Sequence, residues 1–239
     1  MAAFCVIAYG KAADRANEYV RLSRSTVTEA TKLLLEFIVQ LWGSTYLRLP
    51  NQAELKKTME HNAERGFPGC MGSLDCTHGA WHQCPMGMAG PYQSRKGSRG
   101  IFVEAMCVED PWIWHLLVGS CGSLNDINVL NQLPLYQDVT AGRLSLPEVP
   151  FTVNCSIRTL LYYLFYGIYP RYFFLVSPHH MPMTDEAKTL NFLQAAIRKD
   201  LERLFGVLTK RFHIALHPGP YRSMKQLLTT YKAVCSLHR

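Results

Sequence analysis

From Val27 to Gly43, apolar residues recur at helical spacing, among them Leu33, Leu34, Phe37, Ile38 and Leu41. Thr26 with Glu29 reads as a capping box ahead of this run, and Gly43 as its stop. Asn51 with Glu54 opens a second helical stretch that Gly66 closes, so residues 13–65 are predicted to be helical. After the loop signal "RGFPG" the pattern changes. "GSLDCTH" is a short strand-like run, and "GIFVEAMCVED" and "PWIWHLLVGS" are two β-rich runs that predict a hairpin. "SLNDINVLNQLPLY" reads as a helix capped by Ser123 or Asn125, and "RTLLYYLFYG" as a buried strand. From about Thr184, Leu190, Leu193, Ile197, Leu201, Leu204 and Leu208 form the apolar stripe of a long helix. "PGPYRS" breaks it, and Met224 to Leu237 predict a last helix.

Helices, three strands, a helix, a strand and further helices suit an α/β fold, a mixed sheet flanked by helices. This is the element order of a ribonuclease-H-like domain. The 239 residues fit one such domain at 67–239 behind a helical N-terminal segment at 1–66. With 48% hydrophobic and 18% charged residues, the chain has enough apolar material for a sizeable core. The net charge of +7 favours a polyanionic partner without establishing one. There is no apolar run long enough for a transmembrane span, and "MAAFCVIAYG" lacks the basic start of a secretory signal. The eight cysteines form no CxxC pair, so a reduced intracellular protein is expected.

Several residues carry candidate chemistry. Asp75 stands in an apolar strand pattern, where a carboxylate is costly to bury unless paired or metal-bound; it could also end the strand at the surface. Glu202 lies beside the apolar stripe of the long helix, four residues after Arg198, so an ion pair along the helix is the plainer reading. Asp126 could be a helix-start acid facing the dipole. Cys76, His78, His82 and Cys84 have a spacing unlike that of the usual zinc fingers. Arg95, Lys96 and Arg99 in "SRKGSRG" could touch phosphates, as could Lys199, Arg203, Lys210 and Arg211 on the long helix; both sets could equally be solvated. No P-loop, nucleophile elbow or separate DNA-reading module is visible.

The ordered set "YLRLPN", "RGFPGCMGSLDCTH", "DPWIWHLLVGSCGSLNDINVLNQLPLY", "FTVN", "GIYP", "RKDLERLFGVLTKRF" and "YKAVCSLHR" resembles plant-type PIF/Harbinger transposases of the DDE superfamily, from roughly Asn17 onward. The resemblance implies a ribonuclease-H-like endonuclease whose catalytic acids hold divalent metal, Mg²⁺ or Mn²⁺. It implies DNA phosphodiester cleavage by water and strand transfer by a 3′-hydroxyl. Asp75 matches the first acid and Glu202 the last, and both would be metal ligands. The middle acid usually precedes "GIYP", where this chain has Tyr166; Asp126 matches another acidic position and is held in reserve as the third acid. Arg95, Lys96, Arg99, Lys199 and Arg203 would contact DNA. After "CTH" the family tends to have an aromatic–acid–aromatic triplet, and here it is Gly79-Ala80-Trp81. The family pattern normally continues past "AVCSLHR". These departures suggest an eroded or domesticated copy with impaired catalysis, an inactive DNA- or protein-binding module, or a relic. The resemblance further implies a nuclear setting and a Myb-like accessory protein from the same element; self-association into a homo-oligomer is compatible with it.

Overall fold

The computed structural model describes residues 1–10, 12–93, 99–107, 112–121, 149–165, 172–215 and 221–238. Four helices come first: α1 (Ala2–Tyr9), α2 (Ala13–Val20), α3 (Arg24–Tyr46) and α4 (Gln52–Glu64). Then come β1 (Cys70–Ala80), the single-turn α5 (Ala89–Tyr92), β2 (Gly100–Cys107), β3 (Ile113–Cys121), β4 (Phe151–Val153), β5 (Ser156–Arg158), β6 (Tyr162–Leu164) and β7 (Leu175–Val176). Two helices close the chain, α6 (Asp185–Arg211) and α7 (Met224–His238). Five strands form one sheet in the order β3-β2-β1-β6-β7. The β1–β2 and β2–β3 pairs are antiparallel, as the expected hairpin requires, whereas β1–β6 and β6–β7 are parallel. β4 and β5 make a separate two-stranded ribbon.

Alternation along β2 divides the core. Ile101, Val103, Ala105 and Cys107 join a cluster with Leu201, Leu204 and Leu208 of α6, Leu227 and Val234 of α7, and Val27, Leu35 and Ile38 of α3. Met106 instead joins Leu74, Tyr163, Phe165, Phe174 and Trp114 with Leu55 and Met59 of α4. The helical segment before residue 67 thus shares its apolar interior with the sheet. α6 starts where its sequence pattern requires: the Thr184 hydroxyl accepts from the Ala187 amide, and its apolar stripe is buried at Ile197, Leu201, Leu204 and Leu208.

Two helix readings are corrected. α3 is capped by Ser23, whose hydroxyl accepts from the Thr26 amide, and it continues through Gly43 to Tyr46. It buries Val27, Thr31, Leu35 and Ile38, while Leu33, Phe37 and Leu41 are exposed. Thr31 can lie inside because its hydroxyl donates to the Val27 carbonyl at 2.7 Å. The α4 capping box is complete: Asn51 Oδ1 accepts from the Glu54 amide at 2.9 Å, and Glu54 Oε2 accepts from the Asn51 amide at 2.8 Å. Asn51→Ala should therefore cost about 1 kcal/mol. A thermal melt should fall by roughly 2–4 °C; an unchanged melting temperature would show that the box carries no stability.

Candidate acid site

Asp75 lies in the middle of β1, opposite Ala105 of β2. It does not end the strand, so the reading of a surface turn is corrected. β1 is flanked by β2 and β6, which hold it at the sheet centre. α6 crosses the same side: the Ser73 hydroxyl, two residues before Asp75, donates to the Ile197 carbonyl at 3.4 Å. One turn of helix therefore sets both neighbours of Asp75, since Arg198 follows Ile197 and Glu202 lies four residues further on.

The decisive geometry is a shared cation. Arg198 Nη2 is 3.6 Å from Asp75 Oδ2 and 3.6 Å from Glu202 Oε1. Asp75 Oδ1 meanwhile accepts from the Cys76 amide at 2.9 Å. The side chains of Arg198 and Asp75 are 12% and 24% exposed, and that of Glu202 is 55% exposed, so the site opens toward solvent on the Glu202 side. The expected pairing of Glu202 with Arg198 is present, and the same guanidinium also reaches the acid on the sheet. Asp200 makes a second tie: its Oδ2 is 2.6 Å from Arg65 Nη1, at the C-terminal end of α4. This helps fix α6 against α4 next to the acids.

The basic residues are less concentrated. Lys199 and Arg203 are exposed on α6 on either side of Glu202, and Arg203 Nη1 lies 3.5 Å from Asp200. Arg99 donates to the Cys84 carbonyl at 3.5 Å. Arg95, Lys96, Asp126 and Tyr166 lie outside the described residues. Cys76 donates to Glu104 at 3.6 Å and Cys84 to the Pro85 carbonyl at 3.7 Å. Among the described residues no group of three His, Cys, Asp or Glu could hold a metal ion.

By donor chemistry, Asp75 and Glu202 supply carboxylate oxygens, the hard donors that a divalent cation takes, and both lie against one guanidinium. The site already carries the positive charge of Arg198.

Sequence reasoning missed Glu104. It is fully buried on β2, opposite Cys76 and Leu117, and its Oε1 has no hydrogen-bond partner among the described residues. Burial pushes its carboxyl up from 4.5 to about 8. The signal was a lone acid inside the apolar run "GIFVEAMC".

A family model described as plant transposon protein matches residues 44–239. The chain belongs to the plant transposon protein family. The match begins within α3 and takes in both Asp75 and Glu202. Two curated relatives of the chain, both named "Putative nuclease HARBI1", come from Homo sapiens and Bos taurus. Each is 24% identical over 237 residues, covering 96% of this chain and 62% of the relative. The chain thus spans a little under two thirds of the length of these relatives. No solved structure matches it.

Proposed function

We propose that this chain is the nuclease core of a Harbinger-type DDE transposase, ribonuclease-H-like in fold, whose ability to cleave DNA phosphodiesters is impaired. The convergence of Asp75 from the central strand and Glu202 from the long helix on one cation carries this reading. The sheet supports it: three antiparallel strands followed by two parallel ones is the strand arrangement of ribonuclease-H-like domains. So does the nuclease named among the relatives.

In this reading Asp75 is the rigid ligand, held in mid-strand with one oxygen on the Cys76 amide. Glu202 is the exposed ligand on the side from which DNA arrives. A divalent ion bound between them would neutralise phosphate charge and activate the attacking oxygen. Lys199 and Arg203 flank Glu202 and would hold the phosphate backbone, together with Arg95, Lys96 and Arg99, which precede β2 in the sequence. Recognition of a target sequence falls to a Myb-like accessory protein, and the setting is the nucleus. Tyr166 at the position of the middle acid also favours a second reading, an inactive module that keeps DNA contact after losing catalysis.

Mn²⁺-dependent nicking of supercoiled plasmid separates the two readings. The unaltered chain is expected to cut only weakly, and Asp75→Asn to remove that residue of activity. Strong nicking that Asp75→Asn leaves intact would overturn the assignment of Asp75. DNA retention without any nicking would favour the binding module.

A further inference from the structure

Resting on the reading of Asp75 and Glu202 as metal ligands, we propose that Arg198 is an internal counter-cation that occupies the acid site in the metal-free protein and competes with the divalent ion for it. Three observations carry this. The same nitrogen, Nη2, lies 3.6 Å from an oxygen of each acid, so one guanidinium serves both. Its side chain is only 12% exposed, the least exposed of the three, and is set between strand and helix. Its position is also fixed by the fold: Ile197, one residue earlier, is buried and its carbonyl receives the Ser73 hydroxyl.

The physical consequence follows from charge. Without a cation, Asp75 and Glu202 would leave two like charges near one another, one of them partly buried, and the two would repel. The guanidinium offsets that repulsion and ties both carboxylates to one nitrogen. The same charge opposes a divalent ion, which would have to approach within a few ångströms of Arg198 or displace it. Arg198 therefore acts as a positioning residue when metal is absent and as a brake on metal binding. The exposed Glu202 is the arm able to exchange partners, because its side chain is 55% exposed whereas that of Asp75 is 24% exposed.

The test is Mn²⁺ binding to the full chain without DNA, followed by the electron paramagnetic resonance signal of free Mn²⁺. The proteins are wild type, Arg198→Gln, Arg198→Lys, Asp75→Asn and the Arg198→Gln/Asp75→Asn double variant. Arg198→Gln is expected to tighten Mn²⁺ binding on the order of tenfold, as removal of a unit charge from within ~4 Å of a divalent ion would in a largely solvated site. Arg198→Lys keeps the charge and should bind nearly as wild type, and Asp75→Asn should cancel the gain. Thermal melts verify folding of each protein. Arg198→Met, which keeps the buried stem, replaces Arg198→Gln if the latter fails to melt cooperatively. If the neutral variants bind Mn²⁺ no more tightly than wild type while Asp75→Asn still weakens binding, the competition is wrong and the nuclease reading stands. If Asp75→Asn changes binding in no background, both fail.

Discussion

Glu104→Gln is expected to stabilise the protein strongly above neutral pH. Glu104 is fully buried, and its carboxyl titrates near 8 instead of 4.5. Between those values the folded protein keeps a proton that the unfolded chain has released, so stability falls as pH rises through this window. Each unit is worth about 1.4 kcal/mol, so the accumulated penalty near pH 8 is on the order of 4 kcal/mol. Glutamine has the same shape, can still accept from the Cys76 thiol and never ionises. His115 has the opposite effect at lower pH: burial depresses its imidazole from 6.5 to about 4, so stability rises with pH between those values. The two slopes oppose each other from about 4.5 to 6.5, and the wild-type melting temperature should be nearly flat there. It should then decline toward pH 8, while Glu104→Gln should climb to about pH 6.5 and hold. At pH 8 the variant should melt roughly 8–15 °C higher. Parallel wild-type and variant curves across this range would mean that Glu104 is not held protonated by the fold.

Tyr166→Asp is expected to raise metal-dependent cleavage from near background to a readily measured rate. The argument starts from charge. Two divalent ions about 4 Å apart repel by about 16 kcal/mol at an effective dielectric near 20. Three carboxylates offset most of their charge and two do not. The phenol of Tyr166 cannot take the missing place, because an ordinary phenol titrates near ~10 and is neutral at pH 7. Mn²⁺ binding should rise in the same variant. If Tyr166→Asp neither cuts nor binds more Mn²⁺, Asp126 becomes the candidate for the third acid.

What could be read from the sequence depended on how local its physical cause was. The α4 capping box and the start of α6 at Thr184 are set by residues within one turn of each other, and both were legible. The buried face of α3 was not. Leu33, Phe37 and Leu41 have the same helical period as Leu35 and Ile38, and only the packing of α1, α7 and the sheet decides which face is inside. α1 is apolar nearly throughout and too short to show a period. β7 has two residues and forms only by pairing with β6, so no pattern announces it. At the site, Arg198 and Glu202 were legible as neighbours on a helix. The tie from Arg198 to Asp75 spans more than a hundred residues and needed the parallel and antiparallel pairing that puts β1 at the centre of the sheet.

The most direct measurement of the account is Mn²⁺-dependent nicking of supercoiled DNA by three proteins: the unaltered chain, Tyr166→Asp, and Tyr166→Asp with Glu202→Ala. The account predicts that Tyr166→Asp cuts, that the unaltered chain is near background and that loss of Glu202 abolishes the gain. Cleavage by the unaltered chain equal to that of Tyr166→Asp, or cleavage that survives Glu202→Ala, would contradict it.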